Sequence, residues 1–139
     1  MTLTEINKDL FTVPQGYYLA HCISNDFALG AGIAAEFDRV YNMRAKLRTR
    51  YGGEPHGNAL LVDNVFNLVT KEKCYHKPTY AALRAALMEM RGRMQELSVT
   101  KLAVPRIGCG IDRLDWNLVK EMLQEVFADT EADILVCVL

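Results

Sequence analysis

Six short apolar runs recur along this chain with room for a helix between most of them, and that alternation constrains the fold more than any other feature. The runs are Leu3–Ile6, Tyr17–Ile23, Asn58–Val62, Val65–Val69, Lys101–Val104 and Ile134–Val138. Apolar runs of about four to eight residues read as strands. From about Thr79 to Leu97, by contrast, Tyr80, Leu83, Leu87, Met90, Met94 and Leu97 recur at steps of three and four and define one face of a helix. Pro78 and Thr79 suit its start. A second helix is predicted from Asp115 to Ala128, with Trp116, Val119, Leu123 and Val126 inward. A third follows Gly32 and runs toward Tyr51-Gly52-Gly53. Asp63-Asn64, between two apolar runs, predicts a hairpin. The expected architecture is one α/β domain over residues 1–139, with a mixed six-stranded sheet between layers of helices.

A chain of 139 residues, half of them hydrophobic, can bury a single sizeable core. Sixteen basic residues against seventeen acidic ones remove any global electrostatic case for a nucleic-acid binder. The start, "MTLTEINKDLF", lacks the features of a signal peptide, and no apolar run approaches the roughly 20 residues needed to span a bilayer. Cys22, Cys74, Cys109 and Cys137 are far apart, so they supply neither a zinc template nor a disulfide framework. The expectation is a cytoplasmic protein with reduced thiols, no membrane partner, no metal and no cofactor.

Two glycine loops carry the chemistry. Gly30-Ala31-Gly32 and Gly108-Cys109-Gly110 each follow a predicted strand and precede a predicted helix. Ligands of open α/β sheets bind beyond the carboxyl ends of strands, where such loops turn backbone amides toward an anion. Taken singly, each G-x-G reads more simply as a turn. No G-x-x-x-x-G-K-[ST] run exists. Gly30, Gly32 and Ala35 fit G-x-G-x-x-A, but "SNDFAL" separates them from the strand where a dinucleotide turn would be immediate. His21 and Cys22 resemble a nucleophile pair on paper, yet adjacent strand residues face opposite sides, so both are read as core residues. Asp112 stands two residues beyond the second loop, a poor neighbour for a phosphate.

Together these segments resemble the macrodomain family of ADP-ribose-binding modules, and within it the terminal ADP-ribose protein glycohydrolases. The resemblance is carried by "KDLF" (8–11), "AHCIS" (20–24), "GAGIAAEF" (30–37), "VTKEKCYHKPTY" (69–80) and "PRIGCGIDRLDW" (105–116), which span almost the whole chain in order. "HKPTY" and "PRIGCGIDRL" are specific to that branch. Hydrolases of the other common macrodomain type carry an asparagine-rich first loop and three consecutive glycines. Here those positions read "HCISND" and "GAG", so that mechanism is not carried over.

The resemblance implies a three-layer α/β/α macrodomain and assigns roles. Asp9 would accept a hydrogen bond from the adenine amino group, with the Leu10 backbone alongside; by its residues alone it reads as a turn or cap aspartate. Ser24 would contact the distal part of ADP-ribose. Gly30, Ala31, Gly32 and Ile33 would hold the diphosphate on one side, and Ile107, Gly108, Cys109, Gly110 and Ile111 on the other. Leu139 would pack by the ligand. Arg106 is either a ligand contact or an ion-pair partner. Most lysines are solvated surface charges, but the resemblance aligns Lys71 with the branch's catalytic lysine, whose amine attacks the anomeric carbon of the distal ribose. Such an amine must be uncharged, which calls for partial burial or a nearby cation, and Lys73 is the candidate. Asp112 would be the acid/base; its other reading, an N-cap, is met by Asp115. Trp116 reads as core.

The expected function is hydrolysis of mono-ADP-ribose ester-linked to Glu or Asp of proteins. Two alternatives accompany it: a reader that binds ADP-ribose without turnover, and an antitoxin-like hydrolase of ADP-ribosylated DNA. The run "RVYNMRAKLRTR", with Arg39, Arg44, Lys46, Arg48 and Arg50, is read as a solvated surface, with nucleic-acid contact as the weaker option.

Overall fold

The computed structural model describes residues 1–53 and 55–139. Six strands form one sheet: β1 (Thr2–Asn7), β2 (Tyr18–Ser24), β3 (Ala59–Val62), β4 (Val65–Lys71), β5 (Lys101–Val104) and β6 (Asp133–Val138). Their order is β1-β6-β5-β2-β4-β3. Every neighbouring pair is parallel except β3–β4, a hairpin in which Val62 pairs with Val65 across Asp63 (φ +53) and Asn64. The predicted mixed sheet and hairpin are both present.

Among the described residues, four α-helices cover the two faces: α1 (Gly32–Tyr41), α2 (Met43–Tyr51), α3 (Tyr80–Glu96) and α4 (Trp116–Phe127). Alternation along β4 shows how one strand serves both faces. Phe66 and Leu68 join the cluster under α3 and α4, with Leu83, Leu87 and Leu123, whereas Val65 and Val69 join Phe37, Met43 and Leu47 under α1 and α2. The Thr79 hydroxyl accepts from the Ala82 amide at 3.0 Å and starts α3 as anticipated. The ends of the predicted apolar face of α3 are not core, however. Tyr80 and Leu97 are 36% and 42% exposed, and the Tyr80 hydroxyl accepts instead from the Asp115 amide at 3.0 Å. The single helix expected after Gly32 is two, because Asn42 adopts a left-handed conformation (φ +54) between α1 and α2.

His21 is fully buried, as its sequence position suggested. Its Nε2 lies 2.6 Å from Asn67 Oδ1, and the ring stacks on Phe37 with centroids 3.9 Å apart. Burial drives the imidazole from 6.5 down to about 4, against the opposing pull of the Asn67 hydrogen bond. The unfolded chain therefore binds the extra proton first, and stability falls as pH drops from about 6.5 toward 4. The expected loss from this group is about 2 kcal/mol by pH 5. Urea melts at pH 7 and 5 should show a larger drop for the natural protein than for His21→Gln, and equal drops would refute the assignment.

Candidate active site

Five parallel strands end at one edge of the sheet, and a cleft of about 790 Å³ lies along that edge. Each residue assigned to the site above lines it: Asp9, Leu10, Ser24, Gly30, Ala31, Gly32, Ile33, Lys71, Arg106, Ile107, Gly108, Cys109, Gly110, Ile111, Asp112 and Leu139. The parallel arrangement is the cause, because strands running one way deliver all their carboxyl-end loops to one side.

The first glycine loop runs into α1 with no side-chain cap. Ala31 occupies the N-cap in extended conformation, so the first-turn amides of Gly32, Ile33 and Ala34 have no intrahelical acceptor. These groups, with the positive end of the helix dipole, favour an anion. In the second loop, turns use the amides of Cys109 (to Arg106 O, 3.1 Å), Arg113 (to Gly110 O, 3.2 Å) and Leu114 (to Gly108 O, 2.8 Å). The amides of Gly108, Gly110, Ile111 and Asp112 make no backbone hydrogen bond among the described residues. The two loops approach each other closely: a Cβ on Gly32 (φ +59) would lie 2.8 Å from Ile111 Cδ1.

Lys71 Nζ donates to Asp112 Oδ1 at 2.6 Å, with the two side chains only 12% and 15% exposed. A bulge sets this up. Ile23 pairs with Val69 but Ser24 pairs with Lys71, so Thr70 is an extra residue that re-aims the end of β4. The Asn25 amide then donates to the Lys71 carbonyl at 2.8 Å. The charge facing Lys71 is thus an anion rather than the cation anticipated at Lys73, which lies exposed. Asp112 is free for this pairing because Asp115 caps α4, accepting from the Asn117 amide at 2.8 Å.

Several readings change in detail. Cys22 is not wholly a core residue, since it lines the cleft. Burial, and then the nearby Asp112 carboxylate, push its thiol up to about 12, so it is no nucleophile. Burial likewise pushes Cys109 up to about 11. Ser24 Oγ donates to Asp26 Oδ1 at 2.5 Å. Asp9 acts as a cap, with Oδ1 accepting from the Phe11 amide at 2.9 Å. Arg106 lines the cleft, pairs with Glu5 at 3.4 Å and lies 5.8 Å over the Trp116 ring. Trp116 packs against the core yet also lines the cleft, and its Nε1 donates to Glu5 at 2.9 Å.

Arg39 and Cys137 line the cleft as well and were missed. Both had signals: Gly32, Glu36 and Arg39 fall on one stripe of a helix, and Cys137 ends a strand like the other site residues. The remaining charges of the basic run are largely satisfied on the surface. Arg44 pairs with Asp38 at 3.6 Å, Lys46 pairs with Asp63 at 2.7 Å, and Arg50 donates to the Leu61 carbonyl at 3.2 Å. No cluster of three or more His, Cys, Asp or Glu side chains is arranged to hold a metal among the described residues. No helix among them is long and apolar enough to cross a membrane.

No protein-family model matches the chain. It is 39% identical over 136 residues to the ADP-ribose glycohydrolase OARD1 of Homo sapiens, an alignment covering 96% of this chain and 90% of that protein. It is 27% identical over 124 residues to the DNA ADP-ribosyl glycohydrolase of Thermus aquaticus, covering 81% of this chain and 34% of that protein. Among solved structures, the macrodomain of Mycobacterium tuberculosis DarG matches with a TM-score of 0.81 at 25% identity, over 99% of both chains. The sheet, the cleft and the long alignment agree: the chain belongs to the macrodomain family, in its terminal ADP-ribose protein glycohydrolase branch.

Proposed function

We propose that this protein is an ADP-ribose glycohydrolase that releases mono-ADP-ribose ester-linked to Glu or Asp side chains of proteins. The observation that carries the reading is the Lys71–Asp112 contact, 2.6 Å long and mostly withdrawn from water, between two loops with free amides. An amine attacks only with its lone pair free, and Asp112 Oδ1 is placed to take the ammonium proton. Nζ then bonds to the anomeric carbon of the distal ribose while the ester C–O bond breaks and the Glu or Asp carboxylate leaves with the pair. Water next adds at the same carbon, the C–N bond breaks toward Nζ, and the Lys71–Asp112 ion pair re-forms. One proton leaves with the products.

Binding in this reading rests on the two loops. Gly32→Ala forces a side chain into the left-handed region, which costs roughly 1–2 kcal/mol, and also pushes on Ile111. The expected result is about tenfold weaker binding of ADP-ribose by calorimetry, with a lowered melting temperature. Unchanged affinity would place the diphosphate elsewhere.

The likeness to the DNA ADP-ribosyl glycohydrolase favours a second reading, hydrolysis of ADP-ribosylated DNA. Time-resolved release of ADP-ribose from a glutamate-linked protein, beside release from an ADP-ribosylated oligonucleotide, tests both. Release from protein alone supports the proposal, release from DNA alone replaces it with the second reading, and binding without release from either makes the protein a reader.

A further inference from the structure

We infer that Asp26 is a positioning residue for the reaction, although it was read only as part of a spacer. Its carboxylate ties its own turn, Ser24 to Ala28, to the loop that follows the catalytic lysine. Oδ1 accepts from the Ser24 hydroxyl at 2.5 Å and from the Ala28 amide at 3.2 Å, and Oδ2 accepts from the Cys74 amide at 2.9 Å. Ser24 ends β2, Ala28 leads into the first glycine loop, and Cys74 belongs to the loop that follows Lys71. Two further bonds lie beside this brace: the Asn25 amide donates to the Lys71 carbonyl at 2.8 Å, and Asn25 Nδ2 donates to Glu72 Oε2 at 3.1 Å.

The chemistry of a carboxylate matters here. Ionised, it only accepts, so one group satisfies two donors of its own turn, Ser24 and Ala28, and a third, the Cys74 amide, from 48 residues away. Burial alone would raise its titration point. The hydrogen bonds from Ser24, then Cys74 and Ala28, outweigh burial and hold the carboxyl below the usual range, so the brace remains charged at neutral pH. Because the Ser24 hydrogen is committed to Asp26, the hydroxyl offers the cleft only lone pairs. A ligand hydroxyl that donates, such as one on a ribose, fits that polarity. Asp26 thus sets both the hydrogen-bonding sense of Ser24 and the seat of the Lys71 loop, without itself lining the cleft.

The inference rests on the proposed glycohydrolase reading, so the test has one arm that needs no ligand. In the free protein, Asp26→Ala should speed hydrogen exchange at the Cys74 amide by about tenfold or more, with β-sheet amides changed far less. Unchanged exchange at Cys74 overturns the brace whatever the substrate is. In the second arm, release of ADP-ribose per folded molecule should fall about 10- to 100-fold, mainly in kcat, since displacements of about 1 Å at a reacting group carry such penalties. Asp26→Asn should recover part of this loss, because its amide oxygen can still accept from Cys74 N–H. Activity that declines only with the folded fraction overturns the positioning role. If the natural protein releases no ADP-ribose, the glycohydrolase reading fails and the catalytic part of the inference falls with it, while the exchange result still judges the brace.

Discussion

Lys71→Ala should stop release of ADP-ribose from a glutamate-linked protein while leaving ADP-ribose bound. Loss of a nucleophile that cannot be replaced by a neighbour costs at least about three orders of magnitude. No neighbour qualifies here: the cleft thiols of Cys22 and Cys109 are held protonated, and Lys73 lies exposed. The proposed diphosphate cradle consists of backbone amides of the two loops, none of which depends on the lysine side chain. Affinity for free ADP-ribose should therefore change little by calorimetry. Ring opening of the Lys71 glycosylamine, in which the ring C–O bond breaks as the nitrogen lone pair forms C=N, gives an iminium that borohydride reduces. Borohydride added during turnover should therefore fix a covalent adduct on the natural protein, seen by mass spectrometry as added sugar mass at Lys71, and none on the variant. Equal release by both proteins would remove Lys71 from the chemistry and leave Asp112 acting on water.

Asp112→Ala should be the second-largest loss, with a different signature. Without Asp112 the carboxylate that sits 2.6 Å from Nζ to move protons during attack and hydrolysis is gone, so kcat should fall about 10²- to 10⁴-fold. Binding should not fall with it. Removing an anion from beside a cleft proposed to take a diphosphate favours an anionic ligand, so ADP-ribose affinity should hold or rise. Added formate, small enough to occupy the vacated space, should restore part of the rate. A variant that lost binding in step with turnover would show instead that Asp112 holds the loop, and its acid–base role would be withdrawn.

The central strands were legible because they are apolar runs buried on two faces, and such runs announce themselves without reference to their partners, whereas the edge strand β1 buries no residue fully. β4 is the clearest example, buried at every position before Lys71. Features that depend on pairing were not legible. The Thr70 bulge exists only relative to β2, and nothing in "VTKEK" distinguishes it from regular strand. The break at Asn42 had a signal, since asparagine tolerates a left-handed backbone, but it sits within an otherwise helical pattern.

For the site, chemistry and placement separated. Glycine loops at strand ends pointed to the cleft on general grounds, whereas choosing Lys71 among many lysines required the family resemblance. Asp112, 41 residues away, was read by that same resemblance, and their pairing is visible only in three dimensions. Asp26 escaped notice because a carboxylate in "SNDFAL" has several ordinary uses, and its one distant donor, the Cys74 amide, lies 48 residues away.

The four thiols around the cleft divide it into two chemical layers. Cys22, Cys109 and Cys137, withdrawn from solvent, offer neutral sulfur that reacts sluggishly with oxidants and alkylating agents, whereas Cys74 stands exposed. A maleimide would thus mark the rim and leave the interior untouched. An inhibitor meant to anchor inside the cleft should carry a carbonyl that condenses with the Lys71 amine, because among the described residues the only exposed thiol is on the doorstep.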